Sequence, residues 1–520
     1  MSTCVAIGRH TQHLGAERLL GIETGGVGVR KSWSLQSRLT IKPHLLRLSA
    51  IQSLVAALLI AGPAIAQNTN NPFPDPIPTS EGVIVVGLEE FANLPEINGE
   101  PARPMVLVDE PGSGRIFVND MWGLVYAISY EGRVTPYLDV REPRWGITVE
   151  MPAEVVLCCM EVGLQSFAFH PQFNEPGTAG YGKLYTWIDT DETTPDADFV
   201  PGGGEDTHDI VLLEWTARDP VAATYDGGPP RELLRVEQPF NNHNGGRIGF
   251  NPLSSPGDPD FGMLYVGVAD GGAAGDVLDL AQNLGSVFGK ILRVHPLGSN
   301  SVNGHYGVPT DNPYAQDGVD RTLGEIYASG LRNPQGFDWD PATGNLFVAD
   351  IGQSVVETLS LVPAGADLGW NTWEGSYRYV NNIRVDLSNP REEPWITYPV
   401  AEYDQQDPLL QPGSAATGVI AYRDGAISQL TNRVLWGDLP SGEVFHVPAD
   451  ALSSGGQAPI RRVLFRDGTD TKTLLELIQE KNADQGREPA IRVDLHFGRG
   501  PRGRIFLLNK WDGIVREIRP

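Results

Sequence analysis

The sequence predicts an all-β fold, a six-bladed β-propeller closed by its N- and C-terminal strands. Three observations lead to this prediction. From residue 82 onward, short β-branched or aromatic runs alternate with Gly, Pro, Asn and Asp, and helical periodicity is scarce. A two-strand unit recurs about six times, at intervals of roughly 60 to 90 residues. The first and last copies match each other best, which favours a ring closed by the terminal strands.

Each copy of the unit reads as an apolar strand, a turn with Pro or Gly, and then a Gly-x-Leu/Ile-Phe/Tyr-Val strand. The copies occupy residues 105–118, 167–185, 248–266, 336–348, 434–445 and 493–507. Repeated four-stranded sheets around an axis are how a propeller limits its exposed sheet edges. We therefore expect the aromatic residues of the unit to be core and the functional groups to lie on loops at one face of the ring. A multi-sheet β-sandwich array is the structural alternative.

The charge balance excludes some partners. The chain has 520 residues, 65 of them acidic and 39 basic, for a formal net charge of −26. Phosphate backbones and anionic lipid surfaces attract proteins through Lys and Arg patches. The acidic balance therefore predicts no nucleic-acid partner.

Residues 1–66 have the layout of a leader with a secretory signal peptide. Basic residues at 38, 42 and 47 precede an apolar run at residues 54–61, and Ala64 and Ala66 have the spacing of a cleavage site. The apolar run is shorter than the roughly 20 residues that a membrane span needs, so we predict no transmembrane anchor. We expect cleavage after Ala66 and a periplasmic or secreted location. The predicted organisation is a leader at residues 1–66, a Pro/Asn-rich linker at 67–81 and a propeller domain at 82–520.

Two of the three cysteines are neighbours, Cys158 and Cys159, while Cys4 lies in the leader. Neighbouring Cα atoms lie about 3.8 Å apart across a trans peptide, below the usual range for a disulfide. The pair is therefore either two thiols or a strained vicinal disulfide in an oxidising compartment.

Two loops carry the candidate chemistry. Residues 242–247 read Asn-His-Asn-Gly-Gly-Arg, and these turn formers place His243 on a loop that runs into a short apolar strand. Residues 328–336 read Ala-Ser-Gly-Leu-Arg-Asn-Pro-Gln-Gly and present Arg332 and Asn333 on a loop stiffened by proline. A guanidinium forms bidentate, charge-assisted hydrogen bonds with a carboxylate. A neutral histidine can take a proton near neutral pH.

Six longer motifs follow one another along the chain, at residues 163–171, 242–247, 284–293, 306–313, 330–336 and 367–375. In sequence and in order they resemble the glucose/sorbosone dehydrogenase family, which includes soluble aldose sugar dehydrogenases that depend on pyrroloquinoline quinone (PQQ). They also resemble the branch related to hedgehog-interacting-protein-like propellers, whose motifs persist without an established sugar-oxidising role. The resemblance runs from about residue 100 to the C-terminus.

The resemblance implies a six-bladed propeller that carries PQQ and Ca²⁺ and oxidises the anomeric hydroxyl of a small-molecule sugar, an aldose, to a lactone. It implies that His243 is the general base and that Arg332 is a second catalytic residue, in contact with the quinone. Main-chain carbonyls at Gly352 and Gln353 would help to hold Ca²⁺, a hard cation that prefers oxygen ligands. The sequence does not identify the electron acceptor. The positions implied to bind the cofactor are Glu161, Asn242, Arg332, Asn333, Thr417 and Arg492.

Four positions depart from the family pattern. Asn242 stands where the soluble glucose dehydrogenases have Asp before the catalytic histidine, and Glu161 stands where they have Gln. Pro440 occupies the place of a lysine, and Arg492 is the one evident member of a close arginine pair. In a site for a tricarboxylate, each charge-assisted hydrogen bond that is absent removes roughly 1.5–3 kcal/mol of binding free energy.

These departures leave three consequences open: PQQ binds weakly, other basic residues such as Arg499 or Arg502 replace the missing ones, or the ligand differs. The alternative function is a non-catalytic propeller that binds a glycan or a protein partner through the same loop face. A positive pocket favours the dehydrogenase, and an acidic pocket favours the binding protein. A calcium-dependent lactonase on a related propeller is a third possibility, which would need Asp, Glu and Asn side chains to converge on the central axis.

Overall fold

The computed structural model describes residues 70–110, 112–150, 161–191, 194–205, 207–410, 413–423 and 425–520. The predicted leader with its cleavage site and the Cys158–Cys159 pair lie outside these residues, so both interpretations stay predictions. No helix of the described chain is long and apolar enough to cross a membrane.

Strands dominate the described chain, and the all-β prediction is confirmed. Three 3₁₀ turns occupy Pro143–Trp145, Ser428–Leu430 and Pro501–Gly503, and the α-helix α1 spans Leu474–Asp484. The strands are β1 (Ile84–Asn93), β2 (Pro104–Glu110), β3 (Arg115–Asp120), β4 (Leu124–Ser129), β5 (Val134–Asp139), β6 (Leu164–Phe169), β7 (Lys183–Thr190), β8 (His208–Thr216), β9 (Arg231–Gln238), β10 (Ile248–Phe250), β11 (Leu264–Val268), β12 (Lys290–Val294), β13 (Ile326–Ser329), β14 (Pro334–Trp339), β15 (Leu346–Asp350), β16 (Val356–Leu361), β17 (Trp373–Glu374), β18 (Tyr377–Val380), β19 (Arg384–Asp386), β20 (Ala401–Asp404), β21 (Ala416–Tyr422), β22 (Arg433–Asp438), β23 (Val444–Pro448), β24 (Arg461–Asp467), β25 (Asp470–Lys472), β26 (His496–Arg499), β27 (Ile505–Leu508) and β28 (Ile514–Arg519).

Antiparallel pairing arranges most of these strands in groups of four. Three groups are separate sheets with the orders β6-β7-β8-β9, β10-β11-β12-β13 and β14-β15-β16-β20. Three more, β21-β22-β23-β24, β26-β27-β28-β1 and β2-β3-β4-β5, are joined into one long sheet by the parallel pairs β24–β1 and β26–β2. The N-terminal strand β1 thus completes a group with the C-terminal strands. Strands β17 to β19 form a small sheet of their own.

The core lies between successive groups rather than inside one of them. One apolar cluster joins Phe117 of β3 to Phe167 of β6, and the next joins Trp187 of β7 to Val266 of β11. Further clusters follow in the same order along the chain. The last joins Phe506 of β27 to β2 and β3, so the final group packs against the first. Both faces of each group are therefore buried, which explains why most strands are apolar throughout.

The recurring two-strand unit falls on the first two strands of five groups, for instance β2–β3 and β26–β27. The copy at residues 434–445 was predicted one strand too late, because it lies on β22 and β23. In the other groups a glycine with positive φ precedes the second strand, as Gly114 does at 67°. Here Asn432 takes that conformation, with φ 56°, and asparagine is the other residue that tolerates it. Because this glycine is absent, the sequence pattern assigned the copy to the second and third strands of the group instead of the first and second.

Two further features differ from a plain strand pattern. Helix α1 begins at a capping box in which Thr473 and Glu476 each bond the other's backbone, a signal that was readable in the sequence. The described part of the predicted linker contacts the domain: the backbone N–H of Ile77 donates to Asp407 at 2.7 Å, and Ile77 is buried.

Candidate functional site

An aspartate or asparagine lies within two residues of the end of the second strand of every group. The loops that follow these second strands and the loops that precede the first strands lie at one edge of the sheets, which we call the loop edge. All six side chains are buried. They are Asp120, Asp189, Asp270, Asp350, Asp438 and Asn509.

Four of these aspartates fix the loop before the first strand of their own group. Asp120 accepts from the backbone N–H of Arg103 at 3.0 Å, Asp189 from Gly163 at 3.0 Å, Asp350 from Asn333 at 2.7 Å and Asp438 from Ala415 at 2.8 Å. In the β10 group the partner in that loop is instead a side chain, the ring of His243. The aspartate that is structural in other groups therefore holds a histidine in this one.

His243 is buried, with its backbone in the left-handed region at φ 58°. Its Nδ1 lies 2.6 Å from Oδ1 of Asp270, and its Nε2 lies 3.1 Å from a guanidinium nitrogen of Arg332. A guanidinium can only donate, so Nε2 must be the acceptor and Nδ1 must carry the proton. The hydrogen-bond geometry therefore selects the tautomer whose lone pair is on Nε2.

Asp270 is held from three sides. Its other oxygen accepts from the indole N–H of Trp370 at 2.8 Å, and the backbone N–H of Gly272 donates to Oδ1 at 3.1 Å. Burial alone would raise the pKa of this carboxyl, but His243 and Arg332 lower it below its usual value overall. Asp270 therefore stays ionised and holds the histidine proton on Nδ1.

Arg332 spans the gap between two groups. Besides His243, it donates to the side chain of Gln353 at 3.1 Å and to the carbonyl of Ile351 at 3.2 Å. Its own backbone N–H donates to Asp350 at 3.0 Å, and burial raises the pKa of Asp350 to about 6. The hydrogen bonds of its backbone and side chain thus fix the position of the guanidinium.

Asn333 and Glu161 meet on the other side of Arg332. The amide of Asn333 donates to both carboxylate oxygens of Glu161, at 3.1 and 3.2 Å, and Gln335 donates to the same carboxylate at 3.3 Å. Amide hydrogens from two side chains thus satisfy the carboxylate that stands at the family's glutamine position.

Asn242 and its neighbour Asn244 have local roles. Asn242 accepts from the backbone N–H of Ala273 at 3.2 Å. The amide of Asn244 lies within reach of the carbonyl of Glu161, of Asp189 and of the His208 ring, at 2.8, 3.1 and 2.9 Å. This buried cluster fixes the backbone on which Glu161 sits.

Gly352 and Gln353 lie in the loop after β15. The backbone N–H of Gly352 donates to Glu357 at 3.2 Å, and that of Gln353 donates to Glu374 at 2.8 Å. Among the described residues no cluster of three or more His, Cys, Asp or Glu side chains is arranged to hold a metal ion. The predicted calcium site, built on carbonyl oxygens, stays a prediction.

Thr417 and Arg492 lie at the neighbouring β21 and β26 groups. Thr417 is fully buried, and its hydroxyl has no hydrogen-bond partner among the described residues. Gly418 backs onto the ring of Phe497, where an added Cβ would lie 2.4 Å from the ring, so the start of β21, with Thr417, packs against β26. The buried Nε2 of His496 likewise lacks a partner in the described chain. Arg492 pairs with Asp494 at 2.7 Å.

The suggestion that Arg499 or Arg502 replaces the missing cations is wrong. Arg499 contacts Asp338, five residues along β14 from Asn333 and therefore roughly 16 Å away. Arg502 is exposed in the turn between β26 and β27. Both arginines therefore lie at the edge opposite the loop edge.

The structure thus brings His243, Arg332, Asn333 and Glu161 together, and it places Thr417 and Arg492 on the same edge in the next two groups, β21 and β26. The sequence interpretation missed Asp270 and Trp370, which lie 27 and 100 positions from their partners in the cluster. The signal for Asp270 was available. Every copy of the recurring unit continues into Asp or Asn, as in Phe347-Val348-Ala349-Asp350.

This arrangement can take a proton on a fixed nitrogen beside a guanidinium. Because Asp270 remains ionised, it stabilises the imidazolium that forms when Nε2 accepts a proton. Arg332 and Asn333 add donors suited to carboxylate or carbonyl oxygens. The chemistry that fits is removal of a hydroxyl proton next to a bound anionic group.

Comparison with known sequences gives two findings. A sequence profile of the family described as Glucose / Sorbosone dehydrogenase matches residues 111–465. The HIPL1 protein of Arabidopsis thaliana is 26% identical over 507 residues, which cover 88% of this chain and 66% of that protein. The chain therefore spans just under two thirds of the length of this relative.

Solved structures with a similar fold include two aldose sugar dehydrogenases. The soluble enzyme of Escherichia coli, in its apo form, gives a TM-score of 0.55 at 16% identity, covering 84% of this chain and 99% of that one. The PQQ-bound form from Streptomyces coelicolor gives a TM-score of 0.50 at 18% identity, covering 83% and 98%. At these identities the likeness concerns the fold.

Proposed function

The chain belongs to the glucose/sorbosone dehydrogenase family, with similarity to its HIPL branch, and we propose that it oxidises the anomeric hydroxyl of aldoses to lactones by hydride transfer to PQQ with the assistance of Ca²⁺. The observation that carries the proposal is the 2.6 Å hydrogen bond between His243 and Asp270. It leaves a basic nitrogen lone pair beside Arg332 and Asn333.

The proposal includes a six-bladed propeller with the loop edge at one end of its axis. Six antiparallel groups of four, with cores between successive groups and between the last and the first, support it. So does the contact of first strands with one another, for example β2 with β6 and β21 with β26. The pairing of β1 with β28 would be the closure of the ring.

The residues of the loop edge fit PQQ. A tricarboxylate needs several cations and neutral donors, and Arg332, Asn333 and Arg492 offer them. The buried hydroxyl of Thr417 and the Nε2 of His496, both without a partner among the described residues, are atoms that a polar ligand would satisfy. Arg332 and Asn333 would hold the cofactor on the histidine side, and Thr417 and Arg492 on the other.

When bound, PQQ with Ca²⁺ supplies the acceptor for a hydride from the sugar carbon. The chain supplies the base. As the C–H bond breaks, the hydroxyl proton passes to Nε2 of His243, and the positive charge that forms on the ring is stabilised by Asp270. Trp370 keeps the carboxylate in place through its indole N–H.

Arg332 has two tasks in this proposal. Its guanidinium donates to the same Nε2 that must accept the sugar proton, so substrate and arginine compete for one lone pair. An anionic ligand that takes over the guanidinium would free the base. His243 would then become active only when the cofactor is seated, which limits unproductive proton transfer.

The proposal also includes export, supported by the signal-like pattern of residues 38–66, and transfer of electrons to an acceptor not yet identified. N-terminal sequencing of the protein recovered outside the cytoplasm is expected to begin at Gln67.

The test is reconstitution with PQQ and Ca²⁺ followed by dye-linked oxidation of a panel of aldoses. We expect turnover on at least one aldose and its loss in His243→Gln. The matched control is His305→Gln, which changes an exposed histidine far along the chain. A fully loaded protein that oxidises no aldose would contradict the proposal.

A second candidate is a non-catalytic propeller that binds a glycan or protein partner through the loop edge. One observation favours it: this edge carries two carboxylates, Glu161, which accepts from the Asn333 amide, and Asp494, which pairs with Arg492. It predicts no stable PQQ complex by calorimetry, together with glycan or protein binding that survives His243→Gln.

A further inference from the structure

Lys510 lies on the loop edge, directly after Asn509 at the end of β27. It therefore occupies, in the β26 group, the position that Leu439 occupies after Asp438 in the β21 group. The family's missing lysine maps to Pro440, one residue further along that neighbouring loop.

One residue joins the two loops. The backbone N–H of Val493 donates to the carbonyl of Pro440 at 2.8 Å, and the carbonyl of Val493 accepts from the N–H of Lys510 at 3.3 Å. Two such steps span about 10 Å, the width of two strand spacings. A lysine side chain extends roughly 6 Å, so Lys510 can place its ammonium in the space that a lysine at position 440 would reach.

The ammonium of Lys510 has neither a hydrogen bond nor an ion pair with any part of the chain that the structure describes. The charges that act on it come from three loops of this edge: Asp494 and Arg492 before β26, Glu161 before β6 and Arg103 before β2. Loops of three different groups meet only near the axis of the arrangement. The ammonium therefore lies toward the centre of the loop edge.

Burial lowers the pKa of Lys510 to about 8, while Asp494 and Glu161 act in the opposite direction. The buried ring of His496, whose own pKa burial and Lys510 lower, stays neutral beside it. The group is thus a partly desolvated cation at physiological pH, close to the ring of His496, whose Nε2 has no partner in the described chain.

We propose that Lys510 binds a carboxylate of the quinone cofactor, replacing from the neighbouring loop the lysine that the family pattern places at Pro440. His496 and Thr417 line the same subsite and complete its hydrogen bonding. Arg492, which is paired with Asp494, contributes charge but keeps its protein partner. This inference rests on the proposed function, because it names the group that anchors that cofactor.

A carboxylate is the ligand that this set selects. It pairs with an ammonium that forms no ion pair within the described residues, and it accepts from the neutral Thr417 hydroxyl. A neutral sugar would leave the ammonium desolvated and unpaired, which is unfavourable. The subsite therefore belongs to the cofactor rather than to the aldose.

The test measures PQQ affinity by isothermal titration in Ca²⁺ for the full-length mature protein and its variants. Lys510→Gln is expected to weaken binding roughly 10- to 100-fold, the effect of removing one charge-assisted hydrogen bond. Lys510→Arg keeps a cation and is expected to stay within about threefold of the original affinity. The matched control is Lys481→Gln, because Lys481 lies on helix α1, away from the loop edge, and pairs with Glu90 of β1.

A second measurement needs no variant. Pulsed acetylation followed by mass spectrometry is expected to label Lys510 readily, since a lowered pKa exposes more free amine. PQQ is expected to slow this labelling about tenfold while labelling of Lys481 stays constant, because a bound carboxylate would keep the Lys510 amine protonated and shield it from the reagent.

The outcomes distinguish a failure of this inference from a failure of the proposed dehydrogenase function. Equal affinity of the original protein and Lys510→Gln, or labelling of Lys510 that PQQ does not slow, overturns the role of Lys510 and leaves the dehydrogenase intact. An original protein that binds no PQQ overturns both. Weaker binding in Lys510→Gln with rescue by Lys510→Arg supports the inference.

Discussion

The loop edge has two halves that differ in how complete they are. On the histidine half, built on the β10 and β14 groups, His243, Asp270, Arg332 and Trp370 satisfy one another through hydrogen bonds. The lysine half, built on the β21 and β26 groups, carries Lys510, and there the Thr417 hydroxyl and the His496 Nε2 have no partner in the described chain.

Buried polar groups in folded proteins are almost always paired, so we interpret the unpaired atoms of this half as contacts for the proposed ligand. The histidine half is organised in advance for proton transfer, whereas the lysine half is completed by what binds there. The comparison teaches that catalysis and cofactor retention are separable in this protein. Substitutions on the two halves are therefore expected to affect different measurements.

The largest effect is expected from His243→Gln on the histidine half. Loss of the base should lower kcat by about 1,000-fold, within the range of general-base catalysis, and leave PQQ affinity within about threefold. Dye-linked turnover and isothermal titration check the two halves separately. If kcat falls less than tenfold in the fully loaded protein, His243 is not the base.

Asp270→Asn is expected to lower kcat by about 100-fold, because an amide no longer fixes the proton on Nδ1 or stabilises the imidazolium. The substitution keeps size and hydrogen-bonding capacity, so the fold should persist. Asp386→Asn, at an exposed position of β19, is the matched control. Unchanged turnover in Asp270→Asn would mean that the carboxylate serves the loop alone, as its counterparts do in other groups.

Arg332→Lys is expected to weaken PQQ binding about tenfold and to lower kcat as well, since a lysine lacks the planar fork that reaches His243, Gln353 and Ile351 together. This substitution is therefore expected to affect both PQQ affinity and kcat, whereas the others affect one of them. Arg133→Lys, on an exposed surface, is the control. A purely kinetic effect with full affinity would place Arg332 on the catalytic half alone.

The smallest effect is a pH dependence confined to the lysine half. The pKa of Lys510 is lowered to about 8, so its ammonium is present below that pH and is lost above it. Carboxylate binding raises this pKa again, so the affinity it contributes is fully present below pH 8 and declines as the pH rises further.

The ratio of PQQ affinities between the original protein and Lys510→Gln should therefore shrink several-fold toward one between roughly pH 7 and 10. Titrations across this range measure the ratio, and the protonation of other groups cancels in it. A ratio that does not change with pH would show that Lys510 acts through packing rather than through charge.

Much of the fold could be predicted from the sequence, because the recurring unit repeats its turn glycine and its aromatic strand in five of six places. Where Asn432 replaces that glycine, the prediction slipped by one strand. Helix α1 was missed because one amphipathic segment is easily overlooked among strands, although Thr473 and Glu476 marked its start.

The site was predictable only where one short motif carried it. His243, Arg332 and Asn333 lie in loops whose composition reveals them. Asp270 and Lys510 belong to the ends of second strands, and only the stacking of groups brings them to the loop edge. The residues near the strand ends can be predicted from the sequence, but the loops that come together in the folded chain cannot.

The central claim is that this edge binds PQQ between its two halves. The most direct measurement is the melting temperature of the full-length mature protein with and without PQQ and Ca²⁺. A ligand that binds only the native state, present at about 100 times its Kd, stabilises it by about 2.7 kcal/mol. We predict an increase of several degrees that becomes smaller in Lys510→Gln at equal PQQ, and an unchanged melting temperature at saturating PQQ would contradict the account.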